Sequence, residues 1–317
     1  MKKGIGLWMI FLSFQSLACD ICNMSVSLTP NDNKNTFSLL YRHRLTDITF
    51  IKLMFYVDNQ NVSRHSGVKL TSVMEDQYYT ETFSVYEARC KYNFTEKFNV
   101  FVSLPVINNE RTINGESKFN VIGIGDPIVL ARYHIVKTKY LENSKTNHRI
   151  TLGAGFKIPL GKYDFEKDGE TVEHDIQTGT GTLDFVFSLD YIFKYKKVGF
   201  ATNANYKANT KNYKVDYMFG NTFNSTLSLF YIYKVNDKIS IMPTVGSYYE
   251  YAGKDIEYKK YEENSGGEII FGSAGLNVFF HKMRIEATYQ HALNNKLNGK
   301  LQLETKNRIQ VGVSYLF

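Results

Sequence analysis

The sequence predicts an all-β protein, a single antiparallel transmembrane β-barrel of about twelve strands and of the outer-membrane type. Helical periodicity is nearly absent after residue 18, long stretches alternate apolar and polar residues, and short connections alternate with long ones. The 317 residues include 23 Phe and 23 Tyr but only five Pro. This composition suits long hydrogen-bonded strands, because proline cannot donate to a β-ladder.

The first 18 residues predict an export signal. Lys2 and Lys3 precede an apolar run that ends in the small residues Ser16 and Ala18, and the run is too short to cross a bilayer as a helix. Cleavage before Cys19 removes two lysines and lowers the formal net charge from +7 to +5. We therefore divide the chain into a signal peptide (1–18), a short periplasmic head that contains cysteines (19–35) and a barrel (36–317).

Twelve segments then show the two-residue period of strands. The sixth is the clearest, with Leu183, Phe185 and Phe187 on one face and Asp184 and Ser188 on the other. The predicted strands are Thr36–Leu45, Tyr79–Phe94, Phe98–Val106, Asp126–Lys137, Arg149–Leu160, Thr182–Lys194, Val198–Ala208, Phe219–Tyr233, Ile239–Tyr251, Glu268–Phe280, Arg284–Leu293 and Thr305–Phe317.

A soluble β-sandwich would show the same alternation as a transmembrane barrel. The lengths of the strands and loops are therefore needed to distinguish these two classes. Many predicted strands have about 10 to 14 residues, which suits a tilted strand that crosses a bilayer. The long connections are predicted at Thr46–Tyr78, Ile107–Gly125, Gly161–Gly181, Asn209–Met218, Ala252–Gly267 and Asn294–Glu304. An even number of strands puts both termini on the short-turn side, which is the periplasm, and Phe317 then ends a strand suited to the barrel-insertion machinery.

Alternation also predicts which polar side chains face the lumen. These residues carry both signs of charge, so they either cross-link the lumen shut or line a narrow path for a small solute. The predicted lumen residues are Arg42, Arg44, Glu87, Arg89, Lys91, Arg132, His134, Lys157, Asp184, Asp190, Lys207, Glu250, Arg284, Glu286 and Gln290.

The head of the mature chain contains three soft ligands, Cys19, Cys22 and Met24. This spacing leaves three alternatives open. The two cysteines form a disulfide in an oxidising compartment, Cys19 is the acylated residue of a lipoprotein, or the three residues hold Cu(I) or cycle as a dithiol.

Other functional classes receive little support. The basic residues that give a pI near 9.0 are scattered, so no nucleic-acid partner is predicted. Of the seven His residues, only His174 lies next to an acidic loop residue, Asp175, and no nucleophile motif accompanies them. A hydrolase therefore ranks below a barrel that uses no cofactor and has lipid and a small solute as its partners, and an adhesion barrel with partner-binding loops is a further alternative.

Three motifs resemble a known family. They are GIGDPIVLARY (123–133), GAGFKIPLGKYD (153–164) and IQTGTGTLDFVFSLDY (176–191), preceded by YRHR (41–44) after the cysteine-bearing head. Together they resemble the outer-membrane barrel family named for the meta-pathway of phenol degradation, and in particular its transporter branch. The resemblance implies passive passage of aromatic or other small hydrophobic compounds through the outer membrane.

Overall fold

The computed structural model describes residues 34–57, 70–138, 145–167, 170–298 and 302–317. Most of the backbone in these ranges is β-structure, and they contain no helix long and apolar enough to cross a bilayer. Twelve strands surround a lumen. They are β1 (Thr36–Val57), β2 (Leu70–Asn93), β3 (Phe98–Ile113), β4 (Ile128–Lys137), β5 (Thr146–Lys157), β6 (Asp184–Tyr195), β7 (Val198–Ala208), β8 (Thr222–Tyr231), β9 (Ile239–Ala252), β10 (Gly267–Phe280), β11 (Met283–Leu297) and β12 (Gln302–Leu316).

The sheet is antiparallel and closed. Each strand pairs with the next one along the chain, and β1 pairs with β12, for example Thr36 with Leu316 and Tyr41 with Val311. Closure leaves the barrel without an edge strand, so the backbone groups are satisfied inside the lipid. The predicted fold class and the number of strands are therefore confirmed.

Two of the predicted long loops are wrong, because they are largely strand. Strand β1 continues to Val57 and β2 starts at Leu70, within the segment Thr46–Tyr78. Within Ile107–Gly125, β3 runs on to Ile113 and pairs with Glu116–Ile124. The dipeptide between them, Asn114–Gly115, has positive φ angles of 49° and 87°, as a tight hairpin turn requires.

The barrel is polar inside and apolar outside, the reverse of a soluble sandwich. On β6, Asp184, Val186, Ser188 and Asp190 are buried, whereas the outward-facing residues between them are exposed. The exposed apolar residues of β6 and its neighbour β5 are Leu152, Phe156, Phe185, Phe187 and Leu189. Such an outer surface requires lipid, because no soluble protein exposes a continuous apolar band of this extent.

Residues 158–167 and 170–183, which lie between β5 and β6, pack against the barrel wall. We call these residues the inward loop. Its residues Val172 and Ile176 are buried and pack against Val121, with Phe119 and Phe165 beside them. The amide of Asn109 on β3 donates to the carbonyl of Ile176 at 3.0 Å. The inward loop thus lies against the inner face of the wall at β3 rather than projecting away from it.

Candidate functional site

The predicted lumen residues all lie on the inner face of the barrel. Most of them are almost completely buried, including Lys157, Asp184 and Glu250. The side chain of Arg42 is 15% exposed. The structure brings them together in two layers, one near the short turns and one near the inward loop. Their role in the passage of a solute stays a prediction.

The layer near the short turns is a network of ion pairs centred on Glu87. Arg89 donates to Glu87 twice, at 2.7 and 2.9 Å, and Arg42 on the neighbouring strand lies 2.9 Å from the same carboxylate. Arg132 of β4 donates to Asp190 of β6 past the intervening strand β5. Alternation along each strand produces this arrangement, because it turns all of these charged side chains toward the lumen.

The layer near the inward loop is held by Lys157. Its ammonium group lies 3.1 Å from Asp126 and 2.8 Å from Asp184, and it donates to the hydroxyl of Thr180 at 2.6 Å. Asp126 also accepts hydrogen bonds from the backbone N–H of Gly161 and of Thr180, at 2.8 and 2.9 Å. One buried lysine and two aspartates therefore join the barrel wall to both ends of the inward loop.

A second contact between loop and wall is made by Arg111 of β3. Its guanidinium group pairs with Glu81 of β2 and with Glu173 of the inward loop, and it lies 3.6 Å from Asp175. The single positive charge of this arginine thus faces three carboxylates, two of them on the inward loop.

Between the two layers lies a cavity of about 100 Å³. Its lining contains both apolar and charged side chains. Arg44 stacks on Phe83, with its guanidinium carbon 4.2 Å from the ring centroid. The apolar lining residues are Phe83, Val85, Pro105, Ile107 and Ile128. The main polar lining residues are Arg42, Arg44, Glu87, Asp126, Asp175, Gln177, Gln290, Arg308 and Gln310. Such a cavity suits a small solute that has both apolar and polar parts.

Sequence reasoning missed several of these residues. Arg308 pairs with Glu250 at 2.7 Å and stacks on Phe271, and its place on the inner face of β12 follows from the same alternation as that of Gln310. Arg111 was missed because the predicted third strand ended at Val106. Asp175 and Gln177 belong to a loop, where no periodicity indicates the direction of a side chain.

The pair His174 and Asp175 does not form a catalytic arrangement. Asp175 turns toward Arg111, whereas the ring of His174 packs against Tyr217 at a centroid distance of 4.0 Å. Burial lowers the pKa of His174. The candidate metal ligands Cys19, Cys22 and Met24 lie outside the described residues, and within those residues no group of three or more His, Cys, Asp or Glu is placed to hold a metal ion.

Comparison with one solved structure supports the fold. The chain is similar to an outer-membrane channel from Pseudomonas putida F1, with a TM-score of 0.61 and 13% identity over 92% of this chain and 100% of that one. It is also similar to the β-domain of the Bordetella autotransporter BrkA, with a TM-score of 0.49 and 12% identity over 90% of this chain and 99% of that one.

No curated protein matches the chain in sequence. The profile of one family does match, over residues 57–299, which is most of the chain. That family is described as "Putative MetA-pathway of phenol degradation", and it is the family that the three sequence motifs resemble. The closed barrel, its apolar outer surface and this match lead to one conclusion: the chain is an outer-membrane β-barrel that belongs to the family of the MetA-pathway of phenol degradation.

Proposed function

We propose that the barrel lets a small solute cross the outer membrane by passive diffusion, without catalysis. The observation that carries this proposal is the cavity between the two charged layers, because its lining comes from strands of the barrel and from the inward loop together. In this proposal the inward loop sets the width of the path, and the ion pairs of Lys157 and Arg111 hold the loop in place.

The apolar part of the lining favours a solute with an aromatic or aliphatic body. Phe83, Val85 and Ile107 offer a surface on which such a body can lie, and the family description agrees with this solute class. We propose further that the short turns face the periplasm. Asn35 and Phe317 exchange two backbone hydrogen bonds of 3.0 Å, so both ends of the barrel domain lie on that side.

Conductance and solute uptake by the purified protein test this function. Planar bilayers report an open path, and liposomes report the uptake of phenol against that of a polar solute of similar size. Val85→Phe should reduce uptake several-fold because the larger ring fills the cavity, whereas Ile122→Phe on the outer surface should leave it unchanged. A correctly folded barrel that conducts no ions and takes up no solute would refute the proposal and favour a closed scaffold.

A further inference from the structure

The charges inside the barrel are unevenly distributed along its axis. Near the short turns, the described residues include five buried basic side chains and three buried acidic ones. The basic residues are Arg89, Lys91, Arg132, Arg149 and Arg284, and the acidic ones are Glu87, Asp190 and Glu286. Toward the inward loop the balance is reversed, with five buried acidic side chains and four buried basic ones. The acidic residues are Glu81, Asp126, Asp175, Asp184 and Glu250, and the basic ones are Arg44, Arg111, Lys157 and Lys207.

Arg284 is the most deeply buried of the basic residues near the short turns, with 1% exposure. Its Nη2 donates to Ser314 at 2.8 Å and lies 3.2 Å from Glu286. Its other two nitrogens, Nε and Nη1, find no hydrogen-bond acceptor among the described residues. This buried guanidinium group therefore forms hydrogen bonds through one of its three nitrogens. The loss of hydration at the other two nitrogens is not offset by hydrogen bonds to the described part of the chain.

A second cation makes this environment more positive. The charges of Arg89 and Arg284 are close enough to repel each other. The carboxylate of Glu87 is already shared by Arg89 and Arg42, so the local cluster holds three guanidinium groups against the two acids Glu87 and Glu286. An acceptor with a negative charge would satisfy the free N–H groups of Arg284 and relieve this repulsion at once.

We infer that the lumen near Arg284 is a binding site for the carboxylate group of the solute. The site adjoins the cavity, because Arg284, Glu286 and Thr288 are consecutive inward positions of β11 and Thr288 lines the cavity. A small organic acid can therefore place its apolar body against Phe83 and Val85 and its carboxylate toward Arg284. Guanidinium groups bind carboxylates with charge-assisted hydrogen bonds, which gives the site a preference for acids over neutral analogues.

Thermal unfolding of the purified protein, with benzoate and phenol as the probes, tests this inference without requiring transport. Benzoate should raise the Tm by several degrees at constant ionic strength, and phenol should raise it less. Arg284→Gln should abolish the benzoate shift, Arg284→Lys should retain part of it, and Lys282→Gln should keep all of it, because Lys282 is exposed in the neighbouring turn. Equal shifts by benzoate and phenol, or an undiminished shift in Arg284→Gln, would overturn the inference.

A second variant keeps the inference testable if Arg284→Gln does not fold. Glu286→Gln removes the acid that competes for Arg284, so the concentration of benzoate needed for half of the Tm shift should fall several-fold. An unchanged or higher concentration would count against the site. This inference rests on the proposed function only in assuming that the bound solute crosses the barrel. A barrel that binds benzoate but conducts nothing in bilayers would refute transport and leave the carboxylate site standing.

Discussion

The ammonium group of Lys157 lies 2.8 Å from the carboxylate of Asp184, and both side chains are completely buried. The same ammonium group pairs with Asp126, which in turn accepts N–H groups from the inward loop. One buried cation is thus shared by two buried carboxylates. Through Asp126 and Thr180, this cation links the inward loop to the barrel wall.

Replacement of Lys157 by Met should therefore destabilise the barrel strongly. The two aspartates would remain buried without their counter-ion, and breaking a buried pair in this way costs about 3 to 5 kcal/mol. Urea unfolding of the reconstituted protein, followed by tyrosine fluorescence, measures the change. Lys254→Met is the matched control, because Lys254 forms an exposed ion pair in a loop and its loss should cost less than about 1 kcal/mol. Similar midpoints for the two variants would contradict the importance of this pair.

A side chain at Gly179 should displace the inward loop. A Cβ atom there would lie 2.5 Å from the backbone carbonyl of Gly161, and the backbone cannot yield at that distance without separating the two ends of the loop. Gly179→Ala is expected to raise single-channel conductance, since the loop narrows the path in the proposed function. Gly253→Ala serves as the control, because its added Cβ would keep ordinary contact distances of 3.5 Å. Unchanged conductance in Gly179→Ala would show that the loop does not set the width.

The transmembrane strands could be predicted from the sequence because lipid and lumen impose opposite polarity on alternate residues. Strand β7 was predicted with its observed bounds, Val198–Ala208, and β9 differed by one residue. Beyond the apolar band both faces of a strand meet polar surroundings, so the alternation disappears. The extension of β1 to Val57 was missed for this reason, and so was the hairpin at the end of β3, which turns at Asn114–Gly115.

The candidate site was only half predictable by the same reasoning. Glu87 and Arg284 were found because the parity of a strand position determines its face. Asp175 was not, since it lies in a folded loop. The contact of Asp126 with Lys157 and that of Asp175 with Arg111 depend on tertiary structure that no local pattern contains.

The cysteine-bearing head leads to a prediction that is based on the sequence alone. If Cys19, Cys22 and Met24 hold Cu(I), the reduced mature protein should bind roughly one equivalent, and replacing both cysteines by Ser should remove that binding. Titration with a chromogenic Cu(I) chelator measures the stoichiometry. Cys90→Ser is the control, because Cys90 is a single free thiol on β2. A reduced wild-type protein that binds no copper would end the metal hypothesis and leave the disulfide and the lipid anchor.

The loops that follow β7 and β9 should become more stable as the pH falls from about 7 to 5. Asp255 joins them, because its carboxylate accepts hydrogen bonds from the hydroxyl of Tyr217 at 2.6 Å and from the backbone N–H of Gly220 at 2.5 Å. Burial outweighs these bonds and raises the pKa of Asp255 to about 6. The folded loops therefore bind a proton more tightly than the unfolded chain does, so stability is greatest below the unfolded pKa and is lost as the pH rises through about 6.

Hydrogen exchange of residues 211–220 and 253–266 at pH 5 and pH 7.5, corrected for the intrinsic rate, measures this effect. Only about one pH unit of the rise in pKa, or roughly 1.4 kcal/mol for one group, is expressed between pH 7.5 and pH 5, so protection at pH 5 should exceed that at pH 7.5 by about tenfold. Asp255→Asn mimics the protonated acid and should show high protection at both pH values. Glu257→Gln is the control for a carboxylate of the same loop that remains partly exposed. An Asp255→Asn variant with the same pH dependence as the wild type would show that another group controls these loops.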